Sequence, residues 1–127
     1  MSVEIARTYR KDFIKFTPYA PAADRKRWES LPGDFKQEII QAGERYLHYS
    51  YPMLPATKYM EFCRIGNRSM YEALYFDRRR ILNTLILAEC AEGMGRFLDD
   101  IVNGLMAICE ESGGSFRLLN YHISILK

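Results

Sequence analysis

Four carboxylates and an amide fall on one arc of a single candidate helix. They are Asp99, Asp100, Asn103, Glu110 and Glu111 in "RFLDDIVNGLMAICEES". At 100° per residue no cation interrupts them. Such a surface can orient sugar hydroxyls, or let two acids share a proton. The plainer reading is a solvated helix face, and Asp99 and Asp100 in the first turn also suit the helix dipole. A second constellation is "DRRR" at 77–80. Adjacent helical positions fan out, so three guanidinium groups there cannot converge on one ligand. Ion pairs with Asp77, Glu72 or a neighbouring helix are expected, with one arginine left as a candidate for an anionic group. The third is "NRSMYEALY", where Asn67, Arg68, Tyr71 and Tyr75 open another helix. Tyr71 and Tyr75, four apart, face the same way. They can stack on a sugar ring or carry a proton, or simply pack as an aromatic pair.

Other chemistries find little support. Cys63, Cys90 and Cys109 lie far apart inside apolar helical patterns. No close ligand pair of the C-x₂-C kind is present, so buried free thiols and no metal or cofactor are expected. His48 and His122 lack neighbouring ligands. No serine elbow, phosphate-cradling glycine loop or metal signature occurs. The net charge of +2, with acids and bases interleaved, argues against nucleic acid. No apolar run reaches the roughly 20 residues of a membrane span. The N-terminal "MSVEIARTYRKDF" carries charges where a signal peptide needs an apolar stretch, so a cytoplasmic location is expected.

The elements that must position these groups are helices. Residues 1–20 read as an irregular arm. A short helix is expected over 22–31, and "PGD" at 32–34 breaks it, leaving Asp34 as an N-cap. Phe35, Ile39, Ala42, Tyr46 and Tyr49 then recur at helical steps. Pro55 suits the start of a helix through "ATKYMEFCRI", which Gly66 closes. The longest helix follows, capped by Asn67 or Ser69 and ended by Gly93. Its second half, "ILNTLILAECA", is apolar nearly all round, as if made for neighbours that the chain barely supplies. In the last helix Phe97, Ile101, Leu105 and Ile108, with Leu98, Val102 and Cys109, form the apolar half. The fold class expected is all-α, built from antiparallel helical hairpins. The tail "LNYHISIL" alternates like a strand, which the helices before it cannot pair.

The string "GNRSMYEALYFDRRRILNTLILAECAEGMGRFLDDIVNGLMAICEES", with "LPATKYMEFCRIGNR" upstream, resembles the N-terminal helical region of the heparinase II/III-like polysaccharide lyases. The similarity covers roughly residues 28–113. It implies part of an incomplete (α/α) toroid over 21–113, followed in full-length members by β-sheet domains. It also implies β-elimination on acidic polysaccharide, in which a Tyr or His base takes the C5 proton of a neutralised uronate. After Gly113 the family continues with Trp and a "P-A-H-N"-like segment. Residues 114–127, "GSFRLLNYHISILK", depart from that pattern, so the tail is expected not to be the native continuation, as in a truncated or frame-altered reading frame. The catalytic Asn, His and Tyr would come from later hairpins.

Two readings follow. One is the leading helical part of a carbon–oxygen lyase, inactive alone, with Arg68, Tyr71, Asn103, Glu110 and Glu111 on the wall facing an acidic polysaccharide or oligosaccharide. The other is a helical interaction module without catalysis. Self-association through the apolar long helix is expected of an isolated toroid fragment.

Overall fold

The computed structural model describes residues 20–111. All but the last residue of the arm read at 1–20, and the whole strand-like tail at 114–127, lie outside them. Within the described residues the protein is all-α: five helices, no strand.

Helix α1 is short, Arg25–Glu29, with the Asp24 carboxylate accepting from the Arg27 N–H as its N-cap. Trp28 anchors it by burying its ring and donating its indole N–H to the Pro21 carbonyl at 3.1 Å. Helix α2 spans Gly33–Glu44. Pro32, not Asp34, is its N-cap, and Asp34 sits inside the first turn, where its charge still opposes the positive end of the helix dipole. The helix also stops short of the Tyr49 that the periodicity suggests. Residues 45–48 turn, and His48 takes a left-handed φ of 59°, its N–H held by the Asp100 carboxylate at 3.0 Å. Tyr46, Tyr49 and Tyr51 therefore reach the core from a turn and an extended crossing. They meet edge-to-face at 5.8 and 5.1 Å.

Helix α3, Ala56–Ile65, begins directly after Pro55 and ends on Gly66 at φ 72°. Helix α4, Ser69–Glu92, runs 24 residues to Gly93, also at φ 72°. It is about 36 Å long at 1.5 Å per residue. Both left-handed caps fall where the glycines predict them. The Asn67 side chain accepts from the Ser69 N–H at 3.0 Å and shapes the entry to α4. Helix α5 spans Leu98–Cys109.

Helix α4 is the axis of the fold, with α2 and α5 packed along it and α1 and α3 touching it more lightly. Ile81, Leu85, Ala88 and Phe97 form the centre of the core, flanked by Ile40, Tyr46, Leu47, Tyr49, Tyr51 and Ile101. The apolar half of α4 is thus not left bare, contrary to expectation. Ile81, Leu82, Leu85, Ala88 and Ala91 are buried and Ile86 and Leu87 half-buried. The tyrosines of the 46–51 segment supply the cover that a count of helices alone misses. Gly43 allows α2 to approach closely, since a Cβ there would lie 2.3 Å from the Ala88 Cβ and 3.2 Å from the Phe97 ring.

The α4–α5 turn is tied from outside and inside. The Arg25 guanidinium donates to the carbonyls of Cys90, Ala91 and Glu92 at 2.7, 3.4 and 3.3 Å. It thereby satisfies acceptors that a helix C-terminus leaves open. The Glu89 carboxylate accepts from the N–H groups of Gly95 and Phe97 at 2.7 and 3.2 Å, doing the same for donors at the start of α5. Among the described residues no helix is long and apolar enough to cross a membrane.

Candidate functional site

Helix α5 is mounted differently from its apolar pattern. The face turned to α4 is centred on Asp100, Gly104 and the half-buried Ala107, Ile108 and Glu111 rather than on the leucines. Leu98, Val102, Leu105 and Met106 point outward, each about half exposed. Three polar or small residues decide this. Asp100 is buried on the His48 N–H. Gly104 leaves room for the Tyr51 hydroxyl, 2.4 Å from where a Cβ would stand, and for Leu82. Glu111 sits between two arginines. The acidic arc is therefore cut in half, with Asp100 and Glu111 inside and Asp99, Asn103 and Glu110 outside.

Glu111 organises the "DRRR" run. Its carboxylate accepts from Arg78 at 3.3 Å and from Arg79 at 2.7 Å. Arg78 is itself buried and donates to the carbonyls of Ala107, at 2.8 Å, and Pro52. Arg79 lies 3.5 Å over the Tyr75 ring and donates to the Tyr75 carbonyl at 2.9 Å. The hydrogen bond that Arg79 donates to Glu111 holds the Arg79 pKa above its ordinary value. Arg80 turns away to Asp77 at 3.1 Å and the Tyr46 hydroxyl at 2.8 Å. All three guanidinium groups thus have structural partners. Two of them converge on one carboxylate because the end of α5 brings it between them.

Beside this centre, the start of α4 and the face of α3 enclose a cleft of about 130 Å³ lined by Tyr59, Phe62, Arg68, Tyr71 and Glu72. The turn at 66–68 folds α3 back so that Tyr59 meets Tyr71 edge-to-face at 5.3 Å. Tyr71 in turn stacks on Tyr75 with centroids 6.3 Å apart. Arg68 pairs with Glu72 at 3.3 Å, one turn on, and its guanidinium lies 5.6 Å from the Phe62 ring, still 63% exposed. Aromatic rings beside an accessible guanidinium can stack against the apolar face of a sugar and pair with a carboxylate. The volume suits one end of a glycan rather than a whole ligand.

Burial, then the nearby Glu111 charge and Tyr75, push the Tyr71 hydroxyl above its ordinary pKa of 10.0, with Arg78 and Arg79 acting the other way. Burial likewise raises Tyr59, helped by Cys63 and Tyr71. A phenol held neutral is a hydrogen-bond donor and a stacking surface. It is poorly prepared to take a proton from carbon.

Of the residues singled out in the sequence, Arg68 and Tyr71 line this cleft together, and Glu111 acts on Tyr71 through its charge. Asn103 and Glu110 are exposed on α5 and do not line it. Tyr59 and Phe62 were missed as site residues. Their three-residue spacing on α3 was the available signal, but it gains meaning only once α3 folds against α4. The thiols also differ from expectation: Cys63 and Cys109 are exposed and Cys90 half-buried, because α3 packs lightly and α5 turns its 98–109 stripe outward. No cluster of three or more metal-ligating side chains occurs among the described residues. Compared with known protein families and characterised proteins, the chain matches none.

Proposed function

We propose that this chain forms the leading helical part of a heparinase-like polysaccharide lyase. In this reading it supplies part of the wall that receives a uronate-bearing glycan, without the proton-abstracting groups. The observation that carries it is the cleft of Tyr59, Phe62, Arg68, Tyr71 and Glu72, which falls within the stretch 28–113 read from the sequence as similar to those lyases. Arg68 would pair with the uronate carboxylate, while Phe62 and the open face of Tyr71 would stack on the ring, with the buried Tyr59 backing Tyr71. The raised Tyr71 pKa fits binding rather than catalysis. The helical hairpins would form part of an (α/α) toroid.

Titration of the full chain with uronate oligosaccharides and with neutral ones of equal length, followed by NMR, tests this reading. Shifts confined to the cleft, stronger for the acidic sugars and lost in Arg68→Ala and Tyr71→Ala, are expected. No shift with any uronate oligosaccharide overturns it. A second reading, a helical interaction module, is favoured by the outward stripe of Leu98, Val102, Leu105 and Met106.

A further inference from the structure

The outward face of α5 holds the largest set of aligned apolar side chains left open on one described helix. Leu98, Val102, Leu105 and Met106 are 51, 55, 47 and 54% exposed, and the exposed Cys109 continues them. At 100° per residue they fall within about 100° of arc, and from Leu98 to Cys109 they run about 16 Å. Asp99 and Glu110, both exposed, stand with Asn103 along one border of this stripe. The opposite border falls away to the half-buried Ile101 and Ile108, so only one side carries charge.

That side is left wholly negative. No lysine or arginine occurs from 98 to 111, and neither Asp99 nor Glu110 is in an ion pair among the described residues. The arginines nearest the two ends of the helix are already held. Glu44 and Glu92 take Arg96 at 2.6 and 2.7 Å, and Glu111 takes Arg78 and Arg79. The last turn of α5 has no basic residue, so its open carbonyls add partial negative charge beside Glu110.

The acidic border disfavours two possible covers. Antiparallel pairing with a second copy of α5 brings the two acidic borders together, Asp99 beside Glu110. Parallel pairing sets each acidic border against the apolar border of the other copy, where it meets no cation. An anionic membrane surface attracts helices whose polar face is basic, and this one is the reverse. A cover that matches both the stripe and its border is a helix with an apolar face and cations along one side, seated as amphipathic helices are on apolar surfaces.

We propose that the outward face of α5 docks an amphipathic helix of another protein, bordered by two lysines or arginines about 16 Å apart, one meeting Asp99 and the other Glu110. The apolar stripe supplies the contact area, and the two acids set which helix is accepted and in which direction it lies. The inference rests on the interaction-module reading and is independent of the lyase reading, because it concerns the outer face of α5 and not the cleft.

The test uses two synthetic, hydrocarbon-stapled amphipathic helices of about four turns with the same leucine face. One carries lysines, the other glutamates, at two border positions spaced like Asp99 and Glu110. Each is titrated into the full chain and followed by NMR. The lysine peptide should bind about tenfold more tightly, two attractions against two repulsions, with shifts confined to residues 98–110. Leu105→Asp should abolish binding of both. Glu110→Lys should erase the preference, since each peptide then meets one like and one opposite charge. Equal binding of the two peptides to the parent chain overturns the basic partner while leaving the interaction-module reading in place. Failure of both to bind, as when another part of the chain already covers the stripe, overturns the two together. A dimer held through residues 98–110 in sedimentation overturns the proposal in favour of a second copy.

Discussion

Replacing Gly43 by alanine should destabilise the protein, although helix propensity alone favours the change. An alanine in a helix interior is worth about 1 kcal/mol over glycine. The added Cβ, however, would stand 2.3 Å from the Ala88 Cβ, where carbon atoms normally keep about 3.5–4.0 Å. Both atoms are fixed to helix backbones, so no rotamer can relieve the overlap. Helix α2 must move off α4 by more than about 1 Å, loosening contacts around Phe97, which is fully buried. Overpacking that no rotamer change can relieve lies in the upper part of the usual range, about 2–3 kcal/mol. With the propensity gain set against it, a net loss of about 1–2 kcal/mol remains. At roughly 4–8 °C per kcal/mol for a small domain, Tm should fall by about 4–16 °C in a circular-dichroism melt. Ala88→Gly in the same chain moves the space to the other helix. The double variant should therefore be more stable than the two single losses sum to, by about 1 kcal/mol or more. A Gly43→Ala protein that melts at or above the parent temperature, with no coupling to position 88, would refute the close α2–α4 contact.

Glu111→Gln should cost about 3–5 kcal/mol in urea unfolding, since it leaves the buried Arg78 without its anionic partner. Arg25→Ala should lower stability by about 1–2 kcal/mol through loss of the cap on α4; Arg25→Lys, lacking the fork, should not recover it. Alkaline titration supplies a pH prediction. Tyr51, Tyr59 and Tyr71 are raised above 10.0 in the folded state, chiefly by burial, so the unfolded chain loses those protons first. Stability is then level below about pH 10 and declines above it. Phenolate absorbance should accordingly rise in a late phase that unfolding in denaturant removes.

Much of the backbone was legible because its signals are local. Pro55, Gly66 and Gly93 bound α3 and α4 through fixed φ or the left-handed region, and no distant contact has to intervene. The stop of α2 at Glu44 was not legible, because the left-handed turn at His48 is held by Asp100, fifty-two residues on. The same limit inverts α5. Periodicity alone would turn its apolar stripe inward, but Asp100, Gly104 and Glu111 each find a specific neighbour inside and the stripe faces out. The Asp34 cap failed for a smaller reason: Pro32 already sets the entry angle of α2. For the candidate site, Arg68 and Tyr71 could be read from the start of α4. Their companions Tyr59 and Phe62 depend on how α3 folds over them.

The Arg25 fork also sets a schedule for biosynthesis. Its first acceptor lies sixty-five positions downstream, and ribosomes add about 5–20 residues per second. The opening turn therefore waits roughly 3–13 seconds before its anchor is even made. During that interval Trp28 has only nearby groups, such as the Pro21 carbonyl, to hold it. Docking of the earliest segment therefore cannot precede the end of α4, and α5, made later still, is the one described helix that can join after it.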